Sequence, residues 1–170
     1  MPSAFPIRLE QPTDAAAISA VTRAAFQGHP HSDRTEAAIV EALRAADALT
    51  LSLVAVNGAG EIAGHIAFSP ITVDGAAGRW FGLGPLSVLP AAQKQGIGQA
   101  LVRDGLRRLK ADGAGGCVLL GSPRYYARFG FVVSQALRYP GGPADHFQHL
   151  LLDGAVPRGK VGYHPGFDAR

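Results

Sequence analysis

Gln93, Gly96 and Gly98 stand in the run QKQGIGQAL, and their spacing suggests a chemistry. The run follows the apolar, strand-like GPLSVLP and leads into residues of helical period, so the two glycines fall at an expected helix N-terminus. Such a terminus exposes unpaired N–H groups at the positive end of the helix dipole, which suits an anion, and glycines let a phosphate approach the backbone closely. The same glycines also serve a loop that needs only relief of backbone strain, and the pair alone does not separate the two uses. Two other phosphate cradles are excluded. The G-x-x-x-x-G-K-[ST] loop is absent, and GLGPLS does not complete G-x-G-x-x-G. The preceding strand also reads as part of an antiparallel meander, whereas a dinucleotide fold begins with a parallel strand, helix, strand unit.

The remaining reactive side chains are scattered. His29, His31, His65, His146, His149 and His164 show no metal-ligand spacing, and His146 and His149 sit three apart in the strand-like FQHLLL, which disfavours shared ligation. No metal is expected. Cys117 opens a short apolar strand with no base beside it and reads as a small hydrophobe rather than a nucleophile. His65, in GHIAF at the middle of a long strand, has the ordinary pKa range of a general base, although a strand histidine serves as readily as a hydrogen-bonded core residue.

These residues need elements to position them. PIRLE is extended, and PTDAAAISAVTRAAF reads as a first helix capped by Thr13, with Ile18, Val21, Ala25 and Phe26 at helical spacing. DRTEAAIVEALRAAD reads as a second, with Asp33 and Glu36 as its capping pair. Strands are expected over 51–56 and 61–73, joined by the turn NGAG, and a third over 79–89 after DGAAG. From Gly96 the period changes. Ile97, Leu101, Val102, Leu106 and Leu109 mark one face of a third helix, which ends at ADGAGG. CVLLG is a buried strand, SPRYYARFGFV a short helix with a return strand, and FQHLLLDG one further strand in a Gly- and Pro-rich C-terminal part. The order predicts a mixed α/β layer without a linker to split it.

Composition agrees with one globular domain: 170 residues, 47% hydrophobic, is enough chain for a core. The net charge of +3 and pI near 9.4 come from basic residues spread without runs, which favours anionic ligands but lacks the clustered basic and aromatic pattern of a nucleic-acid binder. No nucleic acid is expected as a partner. No membrane is expected either, because no leader-like start or apolar run of about 20 residues is present. A single cysteine excludes an internal disulfide, and the cytoplasm is the default location.

LSVLPAAQKQGIGQALV resembles the pyrophosphate loop of the GNAT superfamily of N-acetyltransferases, [Gln/Arg]-x-x-Gly-x-[Gly/Ala] after the fourth strand, and matches it at every fixed position. YYARFGF looks like that family's short helix bearing a tyrosine before a Gly-Phe strand start. LGPLSVLP with LGSPRYYARFGF, and YHPGF near the end, is similar to a bacterial subgroup of predicted acetyltransferases over nearly the whole chain. The resemblance implies an α/β (α+β) fold over residues 1–170, a mixed, mostly antiparallel central sheet with helices on both faces.

It also implies acetyl-CoA as co-substrate, a small-molecule or peptide amine as acceptor, and direct attack in a ternary complex. By the family pattern the pyrophosphate cradle is Gln93, Lys94, Gln95, Gly96, Ile97, Gly98 and Gln99. The main chain of Leu86, Ser87 and Val88 pairs with the pantetheine arm, and an N–H near Val88 faces the forming oxyanion. Tyr126 matches the tyrosine placed to protonate the coenzyme A thiolate, with Tyr125 as its substitute if the helix is rotated. Arg128 is placed to touch a coenzyme phosphate. The strand GPLSVLP has no carboxylate where many members carry a glutamate, leaving His65 as the candidate base. Glu36 and His31, with His29 and Glu41 nearby, fall in the region that lines the acceptor site in this fold. Homodimers are common in the family. The rival reading is a module that binds or senses acyl-CoA without turnover, since fold and cradle do not guarantee catalysis.

Overall fold

A computed structural model describes residues 5–30 and 32–170. Strand β1 (Ile7–Leu9) and a 3₁₀ turn lead to helices α1 (Ala15–Phe26) and α2 (Glu36–Ala45). Strands β2 (Leu51–Val56), β3 (Ile62–Val73) and β4 (Ala76–Val88) form the antiparallel meander, followed by helix α3 (Ile97–Ala111) and strand β5 (Gly116–Leu120). A one-turn helix α4 (Pro123–Tyr126), β6 (Val132–Val133), β7 (Leu137–Arg138), β8 (Phe147–Leu151) and β9 (Gly159–Tyr163) complete the chain. The sheet order is β1-β2-β3-β4-β5-β8-β6, antiparallel except where β4 meets β5.

The strand β9 lies in GKVGY, beyond the C-terminal strand expected from sequence. It takes over the edge of β3 where β2 ends, pairing Ile71, Thr72 and Val73 with Tyr163, Gly162 and Val161, and it also pairs with β7. Both expected helix caps are corrected. Thr13 lies inside the 3₁₀ turn, and the α1 entry is held by the Asp14 carboxylate, which accepts from Gln11 N at 2.7 Å and from Arg8 Nη1 at 2.7 Å. The N-cap of α2 is Thr35 without a side-chain bond, and the Glu36 carboxylate accepts from the Ser32 hydroxyl instead of pairing with Asp33.

Helix α3 packs one sheet face, with Ile97, Leu101, Val102, Leu106 and Leu109 against Leu53, Ile66, Phe68 and Leu83. It sits close enough that a Cβ on Gly105 would lie 2.4 Å from Phe68 Cε2. Helices α1 and α2 cover the other face through Ile18, Val21 and Val40 on Val54 and Ile62. Two layers of helix thus sandwich the sheet, and each face has its own apolar cluster. No helix among the described residues is long and apolar enough to cross a membrane.

Candidate active site

The central feature is a gap in the sheet. β4 pairs with β5 only through Trp80, Phe81 and Gly82, opposite Gly116, Cys117 and Val118. From Leu83 to Val88 the β5-facing edge of β4 has no strand partner. A β-bulge starts the divergence: Ile66 pairs with Leu86 but Phe68 pairs with Leu83, so Gly84 and Pro85 together oppose Ala67. A bulge is where a strand tolerates the missing N–H of proline, and it redirects the residues beyond it. Leu86, Ser87 and Val88, the expected pantetheine contacts, lie on this unpaired edge.

The glycine loop closes one end of the gap. After β4 a 3₁₀ turn (Pro90–Ala92) delivers Gln93, whose Nε2 donates to Val88 O at 3.2 Å. Lys94 and Gly96 both have left-handed φ, +65° and +82°, which turns the chain into the first helical turn of α3. Gln93, Lys94, Gln95 and Gly96 are exposed, whereas the Ile97 side chain is buried in the core, so Ile97 can offer a ligand only its backbone. Gly98 and Gln99 stand on the first turn. A Cβ built on Gly98 would come within 3.1 Å of the Tyr125 hydroxyl, 3.9 Å of Val88 Cγ2 and 4.0 Å of Leu86 Cδ2. The bare backbone of Gly98 therefore faces the same space as the unpaired edge of β4, a cradle that a side chain would fill.

The two tyrosines divide. Ser122 caps α4 by accepting from Tyr125 N, and Pro123 at its first position fixes the turn. Tyr125 points its hydroxyl at the α3 terminus, and the Arg128 guanidinium stacks 4.6 Å from its ring centre while Arg128 Nε donates to Tyr125 O at 2.8 Å. Tyr126 turns inward, its ring against Gly121 at the end of β5 and edge-on to Phe131 at 5.9 Å. Burial, and then the neighbouring Tyr125 and Cys117, push the Tyr126 phenol well above its ordinary pKa. The group is held protonated, as a proton donor must be, and its hydroxyl makes no hydrogen bond to another described residue. Burial likewise pushes the Cys117 thiol up, which suits an inert core residue.

His65 lies on the opposite face of the sheet and is fully buried. Its Nε2 is 2.8 Å from Ser52 Oγ, and the Ser52 hydroxyl donates to Glu10 Oε1 at 2.7 Å. Glu10 is clamped in turn by Arg44, through Nε at 3.0 Å and Nη2 at 2.8 Å. Burial lowers the His65 pKa to about 4, with Glu10 opposing and Arg44 reinforcing the shift. Burial works against the charge of Glu10, yet the Arg44 and Ser52 hydrogen bonds and the Arg44 charge outweigh it and hold the carboxyl below its usual range. His65 therefore has no open path to a substrate of its own, and stays neutral near pH 7.

Glu36 lines a hollow of about 270 Å³ between the ends of α1 and α2, together with Phe26, His29, Asp33, Thr35 and Ile39. His31, expected beside it, lies outside the described residues. Glu41 instead accepts from the Ser19 hydroxyl at 2.5 Å across the α1/α2 contact. Glu10, Ser52 and Arg44 escaped the sequence reading. The signal for Ser52 was present, as the one hydroxyl in the apolar strand LSLVAV. Among the described residues no three His, Cys, Asp or Glu side chains gather as metal ligands.

Comparison with known proteins supplies a family and a fold. The family model described as Acetyltransferase (GNAT) family matches residues 16–131. An uncharacterized N-acetyltransferase, YhbS of Escherichia coli K12, is 39% identical over 168 residues, covering 95% of this chain and 98% of that protein. A crystal structure of a GNAT family acetyltransferase from Brucella melitensis in complex with acetyl-CoA is 51% identical, with a TM-score of 0.87 over 96% of this chain and 98% of that one. The Escherichia coli YhbS crystal structure in complex with CoA gives a TM-score of 0.90 at 36% identity, over 99% of this chain and 94% of that one. The fold is the GNAT fold, with its open, mostly antiparallel sheet.

Proposed function

The chain belongs to the GNAT acetyltransferase family, and from that premise we propose that it transfers the acetyl group of acetyl-CoA to a primary amine by direct attack within a ternary complex. The observation that carries the reading is the meeting of the Gly98 backbone, the Tyr125 hydroxyl and the unpaired edge of β4 in one space. The relatives crystallised with acetyl-CoA and with CoA share that fold over nearly their full length.

In this reading the N–H groups of the 93–99 loop and the α3 dipole hold the pyrophosphate, with Tyr125 and Arg128 at its side. The edge at Leu86, Ser87 and Val88 pairs with the amide-rich pantetheine as a further strand would, which fixes the thioester in the gap. Acetyl-CoA supplies an activated acyl carbon. An N–H near Val88 stabilises negative charge on the carbonyl oxygen as the amine adds, a contribution worth several kcal/mol in such sites. Tyr126, held protonated at the end of β5, donates to the departing thiolate. The hollow beside Glu36 offers a carboxylate to a cationic acceptor.

The test is calorimetric titration with acetyl-CoA, with ATP and NADH as controls, repeated on Gly98→Glu, and then an amine panel. Saturable acetyl-CoA binding that Gly98→Glu abolishes is expected. Tyr126→Phe should keep that affinity and lower turnover by about a hundredfold, the scale of a lost general acid. Binding without turnover on any amine would favour the sensing module, and preference for ATP or NADH would refute the coenzyme assignment.

A further inference from the structure

The sheet offers no carboxylate on β4 to take the acceptor's proton, so the proton must leave by another way. Four buried side-chain atoms among the described residues have no hydrogen-bond partner, and three of them, His65 Nδ1, Ser69 Oγ and Ser87 Oγ, belong to the β3–β4 ladder around the bulge. His65 and Ser87 are direct cross-strand partners, and Ser69 pairs with Gly82 on the far side of Gly84 and Pro85. Opposed side chains in such a ladder stand about 5 Å apart at Cβ, a gap one water spans. A buried polar atom left bare costs about 1–3 kcal/mol, so the directly facing pair His65 Nδ1 and Ser87 Oγ, both bare, marks a hydrated site.

The tautomer of His65 follows from its other neighbours. Glu10 is an ionised carboxylate and can only accept, so the Ser52 hydroxyl gives its hydrogen to Glu10 and uses a lone pair to accept from His65 Nε2–H. Nδ1 is thereby left as a bare acceptor on a residue that faces Ser87 across the ladder. A donor-to-acceptor line then runs from His65 through Ser52 to Glu10, whose side chain is 15% exposed, and one water between Nδ1 and Ser87 would extend it to β4.

Resting on the transferase reading, we propose that the acceptor ammonium loses its proton along this line: to a water held by Ser87 and His65, through the imidazole and the Ser52 hydroxyl, onto the Glu10 carboxylate. The ammonium N–H bond breaks and the water gains that proton while giving one of its own to Nδ1. Nε2–H passes to Ser52 Oγ, and Ser52 passes its hydrogen to Glu10 Oε1. One proton moves from ammonium to carboxylate, and no electron is transferred. Once the product has left, Nδ1 gives its proton to water in the emptied gap while Nε2 takes one back from Glu10 through Ser52, so that one proton leaves to bulk water and the starting tautomer returns. The burial that keeps His65 neutral suits a group that passes a proton on rather than storing it. The charged groups that face the line are Arg44, which clamps Glu10, and Glu41, which acts on Arg44; these, with Glu10 and His65, set its titration.

The experiment is the pH dependence of kcat/KM for an amine from the panel, in the wild type, Ser52→Ala, Glu10→Gln and Ser52→Thr. Ser52→Ala leaves the Glu10–Arg44 pair in place, and Ser52→Thr restores the hydroxyl. With the relay intact, kcat/KM is level below the pKa of the amine. With the relay cut, only amine already neutral in solution reacts, and kcat/KM falls tenfold per pH unit. The loss reaches about a hundredfold two units below the amine pKa, the usual scale of general base catalysis. A purely structural role would lower the whole curve without tilting it. Acetyl-CoA affinity should be unchanged throughout. A tenfold-per-unit slope already present in the wild type, or a level profile in Ser52→Ala and Glu10→Gln, would overturn the relay while leaving the transferase reading intact. Acetyl-CoA binding without turnover on any amine would end the transferase reading and the relay with it. Should either variant fail to fold, ¹⁵N NMR of the wild-type imidazole decides: Nε2–H with a hydrogen-bonded Nδ1 is required, and an Nδ1–H tautomer would refute the line.

Discussion

Acidification from about pH 7.5 to about pH 5 should cost the wild-type protein about 2 kcal/mol through His65 alone. In the unfolded chain this imidazole takes up a proton near its ordinary value of 6.5, whereas in the fold it resists protonation down to about 4. Above the upper value both states are neutral and its contribution to stability is fully present. As the pH falls between the two values the unfolded state binds one proton more than the folded one, and stability drops by about 1.4 kcal/mol per pH unit. The whole window is worth about 3 kcal/mol. His149, also lowered by burial, acts in the same sense. Glu10 and Asp14, whose folded values are depressed, lose their contribution only as the pH falls below their ordinary values of 4.5 and 3.8. His65→Gln isolates the effect, because its amide can still donate to Ser52 but does not titrate. Urea unfolding of both proteins at several pH values is the assay. The wild type should lose about 2 kcal/mol more than His65→Gln between those pH values, and parallel curves would refute the burial argument.

Three further outcomes follow from particular contacts. Gly98→Ala should weaken acetyl-CoA at least about tenfold in calorimetry, or about 1.4 kcal/mol, because its Cβ enters the space facing Tyr125 and Val88, while far-UV CD stays unchanged. Gly105→Ala should destabilise the fold by about 1–3 kcal/mol in urea unfolding even though alanine is the better helix former, since its Cβ would stand 2.4 Å from the ring of fully buried Phe68. Tyr125→Phe should raise the acetyl-CoA dissociation constant severalfold and leave turnover at saturation nearly intact, the reverse of the pattern expected for Tyr126→Phe.

The elements around the coenzyme side were legible because each is specified locally. The change from alternating apolar residues in β4 to a 3.6-residue period in α3, with Gly96 between them, needs no knowledge of distant contacts. The C-terminal strand β9 was not legible, because GKVGY gains its strand character from pairing with Thr72 and Val73, about ninety residues earlier. The caps failed for a related reason. Thr13 and Asp33 are good capping residues by type, but the Arg8–Asp14 pair and the Ser32–Glu36 contact set the helix entries. In the candidate site, the line from His65 to Arg44 joins β3, β2, the residue that follows β1, and α2, and no spacing along the chain reports such a convergence.

That convergence bears on why β4 carries no acid. On the face away from α3, Trp80 is part of the core, and the place of a side chain at Gly82 is taken by the Tyr163 ring, whose Cε1 would lie 2.7 Å from an added Cβ. Tyr163 is fixed there by β9 and by edge contact with Tyr139 at 4.9 Å, so the C-terminal strand that sequence reasoning missed occupies the volume a β4 carboxylate would need at that position. Past the bulge, Ser87 is fully covered, and an ionised group in its place would face a large desolvation cost. A carboxylate at the solvent end of a hydrogen-bonded line avoids both constraints. Glu10 sits on the β1 side of the sheet, keeps Arg44 as counterion and part of its surface in water, and connects to His65 through the neutral Ser52 hydroxyl. In the proposed relay, closing the β3 edge with an aromatic strand and placing the base at Glu10 are two aspects of one arrangement. Opening space at Tyr163 without restoring a carboxylate on β4 should leave the reaction dependent on Ser52 and Glu10.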